Sequence, residues 1–112
     1  MPERKALSGN REFKAVYARG RRSTSDGITA IVLETPGDPT RTGFAVPARG
    51  AGAVTRNRVR RRLREALRIL QVPSGYQLVI RSDASPAKAP FSEVLAHLKT
   101  ALEGAGVRGL PS

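Results

Sequence analysis

Apolar positions recur at two different spacings along this chain, and the spacing divides it into elements. In residues 8–19, SGNREFKAVYAR, Phe13, Val16 and Tyr17 stand at the i, i+3, i+4 interval of a helix with one apolar face. Ser8 or Asn10 supplies a cap and Gly20 a stop. The basic run RGRRSTSDG then reads as a loop. ITAIVLE, 28–34, is rich in β-branched residues and reads as a strand. TPGDPT is dense in turn formers, and RTGFAVPAR, 41–49, reads as a second strand paired with the first in a hairpin, with Pro47 at its end or at an edge. GAGA, 50–53, is a connector almost without side chains.

The next segment, 54–70, VTRNRVRRRLREALRIL, has helical period again. At about 100° per residue, Val59, Leu63, Ala66, Leu67 and Leu70 fall on roughly one third of the circumference. YQLVIRS, 76–82, reads as a third strand and DASPAKAP as a loop. Pro90 opens a last helix with Phe91, Val94, Leu95, Leu98 and Leu102 as its stripe. GAGVRGLPS reads as a frayed tail. The order αββαβα predicts an α+β fold: a two-layer α-β sandwich with a small mixed sheet. The 112 residues suit one domain, with a core over about 8–104 and flexible tails at 1–7 and 105–112. The strand–helix–strand unit at 41–82 is expected, by the general rule, to cross over right-handedly.

Charge sharpens the picture. Twenty basic and nine acidic residues give a net charge of +11, so the domain carries a strong positive field whose natural partners are polyanions. Arginine is far commoner than lysine, but that ratio also follows from base composition; the clustering carries more. Seven of the seventeen residues of 54–70 are arginine, opposed only by Glu65. Arg56, Arg60, Arg64 and Arg68 follow one another at i, i+4 on one flank, and Arg58 and Arg62 lie on the other. A merely solvated helix interleaves acidic residues for i, i+4 support, which this one lacks. A membrane-surface helix would carry Trp or Phe on its apolar face, which this one also lacks. No stretch approaches the ~20 apolar residues of a membrane span, and MPERKALSGN has no secretory pattern. With no cysteine there is no disulfide or thiolate chemistry. A cytoplasmic protein is expected.

The inventory for catalysis is thin. His97 is the single histidine and reads as a surface or edge residue. The carboxylates are scattered without metal-binding spacing, and GAGAVTRN lacks the Gly-Lys-Ser/Thr ending of a phosphate loop. What the chain has is phosphate chemistry. A guanidinium grips phosphate through two hydrogen bonds. Arginines at i, i+4 are about 6 Å apart along a helix, near the spacing of phosphates in an extended strand. The helix N-terminus near Thr55, Arg56 and Asn57 adds free N–H groups. Without a helix-turn-helix or zinc finger, and with aromatics available for stacking, RNA is the expected polyanion.

AVTRNRVRRRLREALR resembles the signature of the protein subunit of bacterial ribonuclease P, an Arg-Asn-Arg core followed by further basic residues on a long helix. LSGNREFKAVYARG is similar to that family's opening helix, and RTGFAVPAR and GYQLVIRSDA to the strands flanking the signature, about 100 residues in order. The resemblance implies an α-β sandwich with a left-handed crossover, against the general rule. It implies an accessory subunit of an endoribonuclease, non-catalytic alone. Its partners would be a catalytic RNA that uses Mg²⁺ and the precursor tRNA whose 5′ end is matured. By position, Arg56, Asn57, Arg58, Arg60, Arg61 and Arg64 would contact RNA or organise metal bound to it, and Arg68 and Arg49 would also bind RNA. Phe13 and Tyr17, which on spacing alone read as core, would instead be partly exposed and line a cleft for the single-stranded 5′ leader, with Phe44 and Val46. A monomer without a membrane partner is expected, and no metal site on the protein itself. The alternative is a generic basic RNA-binding or ribosome-associated domain. The chain departs from the family pattern at Pro47, Ala48, Arg49, Gly50, Ala51 and Gly52, where Ser-Lys-Lys and Gly-Asn are common, and at Ile31, where Tyr is common.

Overall fold

The computed structural model describes residues 5–6, 9–47 and 52–111. Its elements are β1 (Lys5–Ala6), α1 (Gly9–Arg19), β2 (Arg21–Ser25), β3 (Ile28–Glu34), β4 (Arg41–Ala45), α2 (Ala53–Leu70), β5 (Tyr76–Ser82) and α3 (Phe91–Gly104), with a short 3-10 turn at Ser85–Ala87. The sheet order is β1-β4-β5-β3-β2. β4 runs parallel to β1 and β5; β3 runs antiparallel to β5 and β2.

β3 and β5 take the centre because both are apolar on both faces. Ile28, Ala30 and Val32 of β3 with Leu78 and Ile80 of β5 join the main core against α2 and α3. Ile31 and Val79, register partners on the opposite face, meet Val16 of α1. The sheet is therefore covered by α2 and α3 on one side and by α1 on the other. Gly20, immediately after α1, lets the helix end close to β3: a Cβ there would lie 2.6 Å from the Val16 carbonyl oxygen and 2.9 Å from Ile31 Cγ2.

Three expectations are corrected. RGRRSTSDG is not a loop. It supplies β2, which pairs with β3 around a two-residue turn at Asp26 and Gly27, both at positive φ (49° and 84°). Asp-Gly is a strong tight-hairpin signal; the strand is hard to see because it is a polar edge strand without one large apolar residue. Second, β3 and β4 are not a hairpin: β5 lies between them, which buries the two strands able to be apolar on both faces. Third, the C-terminal segment is not frayed. Gly106 adopts φ 106°, the Gly106 N–H bonds the Glu103 carbonyl at 3.1 Å and the Val107 N–H bonds the Leu102 carbonyl at 3.0 Å. This is a Schellman cap, and it folds Val107 back onto the core beside Leu102. At the other end, Lys5–Ala6 is a strand on β4, within the stretch read as a flexible tail. The cap expected from Ser8, and residues 48–51 of the connector, lie outside the described residues. β4 ends at Ala45, before Pro47, and Ala53 of the connector already belongs to α2.

Candidate nucleic-acid interface

α2 is held by its leucines. Val59, Leu63 and Ala66 have no exposed surface, and Leu67 and Leu70 are buried. Burial of four large aliphatic side chains stabilises the docked helix by roughly 6–12 kcal/mol before entropy. Six arginine pairs stand at i, i+3 or i, i+4, and their repulsion costs roughly 1–3 kcal/mol in total. Docking wins, so the helix carries its charge outward without a set of neutralising carboxylates. It starts at Gly52 without a side-chain cap and with no acidic residue in its first turn, leaving the N-terminal N–H groups and the positive dipole end without a compensating side chain among the described residues. Gln71 closes it in the left-handed conformation, its N–H shared between the Leu67 and Arg68 carbonyls.

Outward from the core, Asn57, Arg58, Arg60, Arg61 and Arg64 line an open groove of about 530 Å³ together with Val54. Arg60 Nη1 donates to Asn57 Oδ1 at 2.9 Å, so the amide orients that guanidinium. The Arg64 guanidinium lies 5.2 Å from the centroid of the Phe44 ring, a cation–π contact that holds its stem against β4. Among the described residues Arg58 and Arg61 have no hydrogen-bond or ion-pair partner.

The i, i+4 row does not act as one rail. Each step of four residues drifts about 40° round the helix, so four members spread over about 120°. Arg56, at one extreme, is half-buried with its Nε enclosed and unpartnered. Arg60 and Arg64 reach the groove. Arg68, at the other extreme, pairs with Glu65. The hydrogen bond from Arg68, reinforced by its charge, holds the Glu65 carboxyl below its ordinary range, and Glu65 in turn holds the Arg68 proton more firmly. Arg62 turns inward: its Nη2 donates to the Ala89 carbonyl at 2.6 Å and its guanidinium sits 5.8 Å from the Phe91 centroid, tying α2 to the start of α3. Arg49 lies outside the described residues.

The residues expected to line one cleft divide between the two faces of the sheet. Phe13 and Tyr17 are half-buried on the α1 face, where they flank Val16. The Phe13 ring packs directly on Gly43, which has room for it only because it lacks a Cβ. Phe44 and Val46 belong to the opposite face: the strand alternation that turns Gly43 toward α1 turns them toward the main core. The α1 face instead gathers polar and basic neighbours. Arg22 lies 5.9 Å from the Tyr17 centroid and donates to the Tyr17 carbonyl at 3.4 Å. Thr24 and Thr29 share a 2.7 Å hydroxyl hydrogen bond, and Arg81 is the register partner of Thr29. Glu12 and Arg41 form an ion pair beside Phe13 on this side. His97 is a tie between elements: its Nδ1 is 2.8 Å from Ser25 Oγ and its Nε2 is 3.4 Å from Asp26 Oδ2, joining α3 to the β2–β3 turn. The described residues bring together no group of three His, Cys, Asp or Glu side chains fit to hold a metal.

Known proteins match the chain both in sequence and in fold. The family model described as Ribonuclease P matches residues 1–106. This chain belongs to the ribonuclease P protein family. The ribonuclease P protein component of Symbiobacterium thermophilum is 38% identical over 104 residues, covering 90% of each chain. That of Gluconacetobacter diazotrophicus is 37% identical over 107 residues, covering 92% of each. In fold, the chain is similar to the ribonuclease P protein of Staphylococcus aureus, with a TM-score of 0.81 at 17% identity over 96% of this chain and all of that one. It is also similar to that of Thermotoga maritima, with a TM-score of 0.78 at 20% identity over 95% of this chain and all of that one.

Against the ribonuclease P signature, two features of α2 went unread in the sequence. Arg62 sits among the signature arginines yet is bound to the fold; nothing local in the sequence marks it, because its partners lie 27 and 29 residues away. Val54 lines the groove, and the helical wheel contains the signal: it stands nine residues before Leu63, about 180° round the helix.

Proposed function

We propose that this chain is the protein subunit of ribonuclease P, binding the catalytic RNA through the α2 groove and the 5′ leader of precursor tRNA across the α1 face. The observation that carries this reading is the groove itself. Its guanidiniums are presented away from a leucine-anchored docking face, and Arg58 and Arg61 spend nothing on the protein's own carboxylates. Bidentate N–H donors match phosphate oxygens, and the uncapped helix start points further N–H groups toward the same region.

On the α1 face, the half-exposed Phe13 and Tyr17 offer stacking surfaces to unpaired bases, and Arg22 and Arg81 offer backbone neutralisation. Phe44 takes a different part: it supports Arg64 from beneath. The chain's own residues position RNA and neutralise its charge. Hydrolysis belongs to the catalytic RNA with its Mg²⁺. A groove lined by guanidiniums repels a divalent cation, so Mg²⁺ would be held by the RNA and not by this face, while the guanidiniums lower the repulsion between the two RNAs that the protein bridges. No helix is long and apolar enough to cross a membrane among the described residues; we place the protein in the cytoplasm, acting as a monomer on its RNA partners.

Reconstitution tests this. The protein is mixed with bacterial ribonuclease P RNA and a precursor tRNA at low Mg²⁺. The expected result is accelerated 5′ cleavage that grows with leader length and vanishes when the catalytic RNA is left out. Tight RNA binding with no acceleration would make the chain a generic RNA-binding domain instead.

A further inference from the structure

Val54 is the most exposed large apolar side chain among the described residues, at 77%, against 42% for Ile69. It stands on the far side of α2 from Leu63, among Asn57, Arg58 and Arg61, with Arg60 and Arg64 behind them. Nothing among the described residues asks for valine there. Its helix propensity is below that of arginine or alanine, and it covers no core. A solvated cationic face gains nothing from an exposed aliphatic group at its N-terminal end.

The polar surface around it is one-sided. Arg60 occupies the Asn57 carbonyl oxygen, so the Asn57 amide offers its N–H groups outward. The side chains lining the groove are therefore N–H donors beside a single aliphatic side chain. A phosphate chain without nucleosides satisfies only the donors. A nucleotide satisfies both parts, with its phosphate oxygens on the guanidiniums and its sugar C–H edge or base face on the methyls.

Resting on the RNA-binding reading above, we propose that Val54 is a specificity-determining contact. It packs against the sugar or base of an RNA nucleotide whose flanking phosphates are held by Arg58 and Arg61, and so lets the groove prefer RNA over a plain polyanion.

The test compares wild type with Val54→Thr, which keeps the shape and replaces a methyl by a hydroxyl, and with Val54→Ile. Affinity is measured for ribonuclease P RNA and for inorganic polyphosphate across a salt series. Val54→Thr should weaken RNA binding by about three- to tenfold, the scale of one lost apolar contact. The slope of affinity against salt should not move, because no phosphate contact is lost. Polyphosphate binding should be unchanged, Val54→Ile should bind RNA at least as well as wild type, and the melting temperatures of all three should coincide. Equal RNA affinity for Val54→Thr and wild type overturns the inference. So does an equal loss for both polyanions, which would mean disturbed arginine geometry. Arg61→Ala separates the two levels of argument: if it weakens RNA binding while Val54→Thr does not, only the Val54 contact falls. If the wild type itself shows no salt-dependent RNA binding, the groove reading falls and this inference with it.

Discussion

α2 and α3 pack side by side on one face of the sheet and bury stripes of the same kind, yet their outer surfaces share almost nothing. α2 buries Val59, Leu63, Ala66, Leu67 and Leu70; α3 buries Val94, Leu98, Ala101 and Leu102. Outward, α2 carries most of its seven arginines against one glutamate, whereas α3 carries Glu93, Lys99 and Glu103 in mixed sign. Core burial dictates the inner stripe of both helices and leaves the outer face free. On α3 that freedom is spent on ordinary solvation, and on α2 on a concentrated field. Function is read from the face that folding does not need.

The largest break in the symmetry should appear when charge is removed. Arg58→Ala combined with Arg61→Ala takes away the two guanidiniums of the groove without a protein partner. At one charge-assisted phosphate contact each, RNA affinity should fall by roughly 3–6 kcal/mol, a hundredfold or more. The log–log salt slope should shrink in magnitude by about 1.4–1.8, at roughly 0.7–0.9 per lost phosphate contact. Lys99→Ala on α3 should change neither quantity. Filter binding across a salt series measures both, and comparable losses from the two helices would erase the distinction drawn here.

A smaller effect separates arginines within α2. Arg62 reaches inward to the Ala89 carbonyl and the Phe91 ring, with its Nε enclosed and unpartnered. Arg62→Ala should therefore lower stability by about 1–3 kcal/mol, through loss of a charged hydrogen bond and of the stacking. The salt slope of RNA binding should remain near that of wild type. Urea unfolding and the same binding assay decide it. Loss of RNA affinity with unchanged stability would place Arg62 with the groove.

How far the sequence reveals this follows from range. The stripe of α2, the strand at 76–82 and the helix opened by Pro90 are patterns within one element, and the structure has them where the spacing puts them. β2 escaped because an edge strand of Arg, Ser and Thr shows no apolar alternation, although Asp26–Gly27 marked its turn. The β3–β4 hairpin was expected because neighbours in sequence usually pair; β5 displaces β4 because it is apolar on both faces. Val107 looked like tail because one valine among glycines has no period, and only the cap geometry at Gly106 folds it back. At the site, the cluster of arginines was legible, but the division of labour within it was not. Which guanidinium stacks on Phe44, caps Ala89 or meets Glu65 depends on where each points after docking. The assignment of Phe44 and Val46 to the face of Phe13 and Tyr17 failed for a strand reason: residue parity relative to Gly43 sends them to the other side.

The smallest effect concerns the one acidic residue of α2. Glu65 accepts from Arg68, and its carboxyl is held below the ordinary 4.5 chiefly by that hydrogen bond. A carboxyl whose folded pKa is lowered contributes stability above its unfolded pKa and loses it as pH falls through the folded value. Both partners are largely exposed, so this contribution is slight. Glu65→Gln, which imitates the protonated state at neutral pH, should leave the melting temperature nearly unchanged while releasing Arg68 for RNA. Affinity at low salt should rise by about two- to fivefold and the salt slope should steepen by up to about 0.9, with the gain fading as salt screens it. Glu103→Gln on α3 is the matched control. It raises the net charge by the same single unit but on the other helix, so it should yield less of the gain and leave the slope alone. Equal gains from the two substitutions would mean that total charge, not the placement of guanidiniums on α2, governs binding.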